Sequence, residues 1–317
     1  METRLCASGC LIISDKKMSK IPDFLKVGDK VAIVCPASFI RGSIDVGLKT
    51  LEGWGLEVVV GETVSTSYHQ FAGQDSLRAA DLQWALDDPS IKAVFAARGG
   101  YGCVRIVDEI DFSNFEKHPK WLVGFSDITV LHSHIQRNFK VATIHGQMPK
   151  SFETGTEASL ETLKNALFGH NMDFAYEQTL FPNRAGKGEG KLVGGNLAIL
   201  LSVLASDSDV NYKNKILFIE DVGEAYYSID RMLWALKRAG KLKKLSGLIV
   251  GGFSAMKDND PAFGQSVEEI VWDKVKEYDF PVAFAYPAGH IDDNHALVLG
   301  RKVELKTTAN AVQLTYL

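Results

Sequence analysis

Ser126 is the residue of this sequence whose setting most suggests covalent chemistry. It follows the apolar run WLVGF at residues 121–125 and precedes Asp127 and a segment with apolar residues at helical spacing. A serine at a strand-to-helix junction holds its hydroxyl beside the backbone amides of a helix N-terminus, which can stabilise developing negative charge. The usual signature is G-x-S-x-G, and Ile128 occupies its last position here. Ser126 is therefore a candidate nucleophile, with an ordinary helix N-cap as the alternative.

A serine nucleophile needs a general base, usually a histidine that a carboxylate orients. The chain contains 8 histidines. His132 and His134 fall on a predicted helix, whereas His145 follows a short apolar run and His290 follows the turn Pro-Ala-Gly at 287–289. Position alone does not select His290 from this set.

Glu220 is the candidate carboxylate, because it ends the apolar run ILFIE at residues 216–220. A carboxylate placed where a buried strand meets a cleft needs a partner, since burying it unpaired is costly. Asp221 and Glu224 compete for the same role. The alternative interpretation is an acidic residue at a helix entry, where the positive end of the helix dipole stabilises it.

The glycine loop, residues 98–102 (Arg-Gly-Gly-Tyr-Gly), follows another apolar run. It could offer backbone N–H groups to an anion, either as an oxyanion-hole donor or as a binder of a substrate carboxylate. A tight turn without function is the alternative. The loop lacks both GK[ST] and G-x-G-x-x-G, which argues against nucleotide binding. No HExxH, paired-cysteine or carboxylate-rich metal pattern occurs, so we expect neither a metal site nor a cofactor.

These candidates follow apolar runs that alternate with segments of helical spacing, the pattern of an α/β fold built from right-handed βαβ units. In the first half, strands are predicted over residues 30–35, 56–60, 91–97, 121–125 and 141–144. In the second half, they are predicted over residues 191–193, 216–219, 248–250 and 282–285, followed by an alternating tail typical of antiparallel strands. Functional residues of such sheets collect beyond the carboxyl ends of the strands, where all the candidates above lie.

The domain organisation follows from the same pattern. Residues 1–21 are predicted to be an N-terminal extension, 22–165 a parallel-sheet domain that carries Ser126, 166–189 a connecting segment, and 190–317 a second α/β domain. The connection is predicted because residues 151–188 are polar and contain glycine, with one weak helix around 160–167.

Composition restricts the function classes. The 317 residues are 46% hydrophobic and 23% charged, as in ordinary globular proteins. A formal net charge of −4 gives no electrostatic reason to expect nucleic acid or an anionic membrane as a partner, and favours a small, locally recognised substrate. The 4 cysteines are too few for a disulfide scaffold, which indicates a reducing compartment and a cytoplasmic location.

Eight short segments together resemble the LD-carboxypeptidase family of serine peptidases, which also contains the microcin C self-immunity proteins. They are GDKVAIVCPAS (28–38), ARGGYG (97–102), GFSDIT (124–129), IHGQM (144–148), GGNL (194–197), FIEDVGE (218–224), IDRML (229–233) and PAGH (287–290). The resemblance covers nearly the whole chain after residue 22. Gln147 departs from it, since the family has proline there. The resemblance implies an N-terminal Rossmann-like domain and a smaller C-terminal domain of mixed sheet.

The resemblance also implies roles for the candidate residues. Ser126 would be the nucleophile, His290 the general base and Glu220 the carboxylate that orients it, with Glu224 as the fallback acid. The oxyanion hole would consist of the backbone N–H groups of Asp127 and Gly100.

Arg98, Gly99 and Tyr101 are candidate substrate-binding residues by position in the glycine loop, because the free carboxylate of the substrate favours a cationic or N–H-rich pocket. The substrate implied is a cytoplasmic murein tetrapeptide, from which the terminal D-alanine is cleaved off the L-centre of a diamino acid during peptidoglycan recycling. The resemblance further implies a homodimer.

Three other functions remain open from the sequence. An immunity-type hydrolase that cleaves peptidyl- or aminoacyl-nucleotide amides would need an aromatic residue to stack on the nucleobase, and Tyr176, Phe181 and Tyr212 are candidates. An α/β-hydrolase esterase shares the Ser, acid, His order but has an elbow glycine and an HGGG-type loop that this chain lacks. A two-domain small-molecule binding protein without catalysis would also have a cleft.

Overall fold

The structure is a computed structural model that describes residues 19–317, so the predicted N-terminal extension lies mostly outside the described residues. The described strands of the first part of the chain are β1 (Lys30–Val34), β2 (Glu57–Val60), β3 (Ile91–Ala96), β4 (Trp121–Gly124) and β5 (Thr143–His145). Those that follow are β6 (Phe174–Glu177), β7 (Gly186–Asn196), β8 (Lys215–Val222), β9 (Gly247–Ser254), β10 (Val282–Ala283), β11 (Leu297–Leu299), β12 (Lys302–Thr307) and β13 (Ala311–Tyr316). The described α-helices are α1 (Asp45–Gly53), α2 (Asp75–Asp87), α3 (Ser113–Lys117), α4 (Thr129–Asn138), α5 (Glu157–Phe168), α6 (Leu197–Ser202), α7 (Tyr226–Arg238) and α8 (Val267–Val275).

The first sheet has the strand order β11-β5-β4-β3-β1-β2. Strands β1 to β5 pair in parallel, and β11 joins the edge antiparallel to β5. Strand order reverses between β1 and β3, and ligands of such doubly wound sheets bind beyond the carboxyl ends of the strands at this switch point. The loops that follow β1 and β3 are therefore the expected walls of a site.

The second sheet has the order β10-β9-β8-β7-β12-β13-β6. Strands β7 to β10 pair in parallel, and β12, β13 and β6 continue the sheet in antiparallel pairs. Two mixed sheets, each with a parallel core of strands that alternate with helices, confirm the predicted α/β fold class.

Strand β1 shows why its apolar run predicts burial on both faces. Ala32 and Val34 pack into one hydrophobic cluster with α2 and α4, whereas Val31 and Ile33 pack into a second cluster with α1 and α5. All four are at most 1% exposed. Successive side chains of a strand point to opposite faces, so a strand covered by helices on both sides must be apolar throughout.

The segment 166–189, predicted to be a connection, contains regular structure. Strand β6 pairs with β13 in the second sheet, β7 begins at Gly186, and α5 extends to Phe168. Strand β11 is a second departure, because it lies late in the chain but pairs with β5 of the first sheet. The two sheets are thus joined by more than one crossing of the chain.

Within residues 19–317, no helix is long and apolar enough to cross a membrane. The same residues contain no group of three or more His, Cys, Asp or Glu side chains that could hold a metal ion.

Candidate active site

Ser126 begins a single 3-10 turn, Ser126–Ile128, between β4 and α4. Its backbone has φ = 64°, in the left-handed region that an L-residue adopts at a cost of roughly 1–2 kcal/mol. No side chain caps either the turn or α4. The N-cap interpretation of Ser126 is therefore wrong, and the strained backbone is typical of a functional position.

The turn is tight because Gly124 packs against Ile128. Gly124 has φ = 159°, and a Cβ atom there would lie 2.8 Å from Cγ1 of Ile128. Ile128 is fully buried. The residue that replaces the usual last glycine of the elbow signature thus fills the core beneath the turn, and the close approach is made possible by Gly124.

His290 and Glu220 form a direct pair. Nδ1 of His290 lies 2.6 Å from Oε2 of Glu220. Glu220 is fully buried, whereas the His290 side chain is 19% exposed. A hydrogen bond from Nδ1 to the carboxylate holds the ring and leaves Nε2 as the nitrogen that can take up a proton.

The loop that carries His290 packs closely against Glu220. Gly289 has φ = 120°, and a Cβ atom there would lie 2.7 Å from Cβ of Glu220 and 2.9 Å from its Oε2. The N–H of Gly289 donates to Oδ1 of the buried Asn294 at 2.8 Å. The Ser254 hydroxyl donates to the His290 carbonyl oxygen at 2.7 Å. The position of the imidazole is therefore set from several directions.

The pKa of His290 reflects two opposing effects. Burial lowers this pKa, but the hydrogen bond that His290 donates to Glu220 and the negative charges of Glu220 and Asp221 outweigh burial, so the pKa lies above the usual 6.5. A neighbouring carboxylate stabilises the imidazolium form in this way. The pair is suited to a base that must carry a proton transiently.

The ring of His290 lies beside the residue that precedes Ser126. Its centroid is 4.9 Å from that of Phe125, in an edge-to-face arrangement. Phe125 also contacts His145, which in turn contacts Phe218 on β8. The structure thus brings the loop of His290, the strand of Glu220 and the turn of Ser126 to one place between the two sheets.

The other acidic candidates have different partners. Glu224 accepts a hydrogen bond from the Ser228 hydroxyl at 2.8 Å. Asp221 accepts from Nδ2 of Asn196 and from the N–H of Ala198, both at 2.9 Å, and burial raises its pKa to about 6. Of the three acids in this segment, Glu220 is the one that contacts His290.

The glycine loop lies over Ser126. A Cβ atom on Gly99 would lie 2.9 Å from Cβ and 3.1 Å from Oγ of Ser126. Gly100 has φ = 110°, so this turn needs glycine there. Tyr101 is 43% exposed, and Nη1 of the half-buried Arg98 donates to the Phe39 carbonyl oxygen at 3.0 Å.

The side chain of Asp127 binds the segment that follows the glycine loop. Its Oδ2 accepts from the N–H of Cys103 at 2.8 Å, and the residue is 1% exposed. Burial raises the pKa of this carboxyl. The side chain ties the turn of Ser126 to the segment after the glycine loop.

Sequence reasoning assigned no specific role to Ser38, Phe125 or Asn294. Ser38 lies in the segment PAS after β1, the other wall of the switch point, and its hydroxyl accepts from the N–H of Tyr101 at 3.1 Å. Its position after a buried strand was the available signal. Phe125 acts through contacts with His145 and His290 that are distant in sequence, which no local pattern indicates.

The aromatic candidates for nucleobase stacking are packed elsewhere. Tyr212 is 2% exposed, and the Tyr176 hydroxyl donates to the Phe284 carbonyl oxygen at 2.6 Å. The ring of Phe181 packs edge-to-face on Phe284 at 4.9 Å. All three belong to the packing of the second sheet.

The chain is similar to several known proteins. The chain is 36% identical over 293 residues to a probable murein peptide carboxypeptidase of Bacillus subtilis, covering 90% of this chain and 91% of the relative. The crystal structure of muramoyltetrapeptide carboxypeptidase from Oxalobacter formigenes superposes with a TM-score of 0.81 at 28% identity, covering 90% of this chain and 98% of that one. The microcin C7 self immunity protein MccF, in complex with aspartyl sulfamoyl adenosine, shares the fold with a TM-score of 0.82 at 20% identity, covering 93% and 98%.

The family match covers both sheets. The LD-carboxypeptidase N-terminal domain matches residues 31–146, which include Ser126 and the glycine loop. The LD-carboxypeptidase C-terminal domain matches residues 189–305, which include Glu220 and His290. The chain therefore belongs to the LD-carboxypeptidase family of peptidases.

Proposed function

We propose that this protein is a serine LD-carboxypeptidase that releases the terminal D-alanine of murein tetrapeptides. The observation that carries the proposal is the contact between His290 and Glu220 beside the strained turn of Ser126. Relatives named as murein peptide and muramoyltetrapeptide carboxypeptidases support the substrate class. Cytoplasmic peptidoglycan recycling and a homodimer belong to the same proposal.

In the proposed mechanism, Nε2 of His290 removes the proton of the Ser126 hydroxyl as Oγ attacks the amide carbonyl. Glu220 holds the ring through Nδ1 and stabilises the imidazolium that forms. The backbone N–H groups of Asp127 and of Gly100 in the glycine loop donate hydrogen bonds to the developing oxyanion, each contributing about 10²–10³-fold in rate. His290 then gives its proton to the departing amine of D-alanine, and later activates water that hydrolyses the acyl-enzyme.

The released D-alanine carries a free carboxylate, which must be bound before cleavage. The proposed binding residues are Arg98, Gly99 and Tyr101. Arg98 already donates one of its N–H groups to a backbone carbonyl oxygen, and a guanidinium has five such groups. A carboxylate bound there would lie on the same side of Ser126 as the glycine loop.

The fold of MccF motivates a second substrate class, amides of aminoacyl nucleotides. The packing of Tyr176, Phe181 and Tyr212 within the second sheet counts against the aromatic stacking that such a substrate was expected to use. The murein peptide is therefore the proposed substrate.

The test is D-alanine release from a purified murein tetrapeptide by the wild type and by Ser126→Ala and His290→Ala. We expect both variants to lose more than 10³-fold in kcat, as in other serine hydrolases. Ser202→Ala and His170→Ala, two exposed positions on α6 and after α5, serve as matched controls and should retain activity.

Full turnover by Ser126→Ala would refute the serine mechanism. Hydrolysis of an aminoacyl sulfamoyl nucleoside, without D-alanine release, would favour the second substrate class. Binding of the peptide with no turnover would indicate a non-catalytic binding protein.

A further inference from the structure

Arg78 on α2 is a fully buried cation that joins the two loops at the switch point of the first sheet. Its Nη1 donates to the Pro36 carbonyl oxygen at 2.5 Å and to the Gly102 carbonyl oxygen at 3.0 Å. Its Nη2 donates to the Asp75 carboxylate. Arg78 is 0% exposed, and burying a guanidinium is costly unless its N–H groups are paired. The contacts of Arg78 therefore indicate that its role is to hold the two loops in place.

The segment after β1 and the glycine loop pack closely against each other. Gly102 has φ = 149°, and a Cβ atom there would lie 2.5 Å from Nη1 of Arg78. A Cβ atom on Gly100 would collide with the Ser38 hydroxyl, which also accepts from the N–H of Tyr101 at 3.1 Å. Arg78 and Ser38 therefore both join the segment after β1 to the glycine loop. We call these two contacts the clamp.

The clamp sets the distance between the glycine loop and Ser126. A Cβ atom on Gly99 would lie 2.9 Å from Cβ of Ser126, and the N–H of Cys103, just past the loop, donates to Oδ2 of Asp127 at 2.8 Å. Arg78 thus binds the loop at Gly102, and the Asp127 carboxylate binds the next residue, Cys103, to the turn of Ser126. Displacement of the loop would move its amides relative to Oγ.

Arg78 is itself fixed by its neighbours. Asp75 also pairs with Arg105, whose Nη2 lies 2.6 Å from Oδ2. The Phe71 ring lies 5.0 Å from the guanidinium carbon of Arg78 and 5.2 Å from that of Arg105. A planar guanidinium can donate to two carbonyl oxygens and a carboxylate at once, whereas a lysine ammonium lacks this fork. The side chain is therefore suited to define a geometry.

We propose that Arg78 is a positioning residue that fixes the glycine loop over Ser126 and thereby aligns its backbone amides with the oxyanion. The proposal rests on the proposed function, since it assigns Arg78 to the same reaction. Arg78 lies beneath the loops and acts through them. Small displacements of such donors are costly in rate, because oxyanion stabilisation depends on donors already in place before the reaction.

The test compares Arg78→Met, Arg78→Lys and Arg238→Met in the full-length protein. Arg238→Met is the matched control, because Arg238 is exposed at the end of α7, in the second matched domain. We expect kcat to fall by about 10²-fold in Arg78→Met with KM changed less than about threefold, as for loss of an oxyanion donor. Arg78→Lys keeps the charge but should recover less than a tenth of the lost kcat. In a further variant, Arg78→Ala, added methylguanidinium should raise kcat at least fivefold.

The rate at which a fluorophosphonate labels Ser126 supplies a readout independent of the peptide, because the labelled adduct uses the same oxyanion donors. Wild-type labelling without D-alanine release would refute the peptide substrate alone, and the Arg78 variants would still be compared by labelling. Folded Arg78→Met with wild-type kcat and labelling rate would overturn the proposal, as would a fall in melting temperature with unchanged kcat. Wild type that neither labels nor hydrolyses would overturn both proposals.

Ser38→Ala keeps the proposal testable if Arg78→Met fails to fold. It removes the bond from the Tyr101 N–H to the Ser38 hydroxyl and leaves the buried guanidinium in place. We expect a smaller fall in kcat in the same direction, about tenfold, with KM nearly unchanged. Unchanged kcat in Ser38→Ala and in a folded Arg78→Lys would contradict the clamp.

Discussion

The Cα of Gly99 faces the side chain of Ser126 so closely that any side chain at position 99 must displace either the glycine loop or Ser126. A Cβ atom there would lie 2.9 Å from Cβ and 3.1 Å from Oγ of Ser126. The two residues follow neighbouring parallel strands, β3 and β4, whose carboxyl ends meet at one edge of the sheet. The close approach brings the backbone of the glycine loop within reach of any atom bonded to Oγ.

Gly99→Ala should therefore reduce activity with little loss of stability. The added methyl must displace either the loop or Ser126 by several tenths of an ångström, which we expect to lower kcat by about 10²-fold. Steady-state D-alanine release and urea denaturation check this expectation. Gly53→Ala on α1 is the matched control, since a Cβ atom there meets nothing within 4 Å. Wild-type kcat in Gly99→Ala would show that the loop can retreat without consequence.

The left-handed backbone conformation of Ser126 should lower the free energy of unfolding. Because its φ is 64°, glycine should be more stable than alanine at this position by about 1 kcal/mol, although both variants are inactive. Urea denaturation with a common m-value measures the difference. The order should reverse at the exposed Lys49 in the middle of α1, where glycine is about 1 kcal/mol less stable than alanine. Equal stabilities at position 126 would mean that the turn relaxes without the serine.

The contact of Glu220 with His290 should set the acid limb of the pH profile. Since His290 must be neutral to act as a base, kcat/KM should rise with pH through an apparent pKa above 6.5 and then level off. Glu220→Gln removes the charge that raises this pKa and leaves burial, which lowers it. The acid limb should therefore move to lower pH, while the plateau falls by about 10²-fold or more because the ring is less well held.

Glu224→Gln is the control for this prediction, because Glu224 contacts Ser228 and not His290. Its acid limb should coincide with that of the wild type. An acid limb that moves upward in Glu220→Gln, or moves equally in both variants, would contradict the assignment of Glu220.

A hydrogen bond between the two matched domains should contribute to stability. Thr129 on α4 accepts from the N–H of Asn196 at 3.1 Å, and both residues are at most 5% exposed. Thr129→Val leaves this buried N–H without its acceptor, which should lower the free energy of unfolding by about 1–3 kcal/mol. Chemical denaturation measures the loss. Thr50→Val on α1, whose hydroxyl bonds only within its own helix, should change stability by less than about 0.5 kcal/mol. Similar losses at both sites would refute a special role for Thr129.

Local pattern was sufficient to locate Ser126 and the glycine loop. A strand buried on both faces is apolar throughout, so the residue at which its run ends marks the carboxyl edge of the sheet, where loops of a switch point converge. The resemblance to the LD-carboxypeptidase family then selected His290, which position alone left among 8 histidines. These assignments depend on order along the chain, which the sequence contains.

The choice among Glu220, Asp221 and Glu224 required the tertiary structure. The apolar run predicts that the strand ends at Ile219, but β8 continues to Val222. Because neighbouring side chains of a strand point to opposite faces, Glu220 lies on the face of His290 and Asp221 on the face of α6. Because β8 extends three residues beyond its predicted end, the side chains of the adjacent residues Glu220 and Asp221 lie on opposite faces of the strand.

The sequence by itself therefore determined the fold class, the family and the loops that carry the candidate chemistry. Only the tertiary structure decided that β6 occupies the supposed connection, that β11 returns to the first sheet, and that Arg78 lies beneath the glycine loop. Each depends on hydrogen bonds between segments distant along the chain. Local propensity and periodicity do not encode these pairings, because they arise when two sheets are packed together.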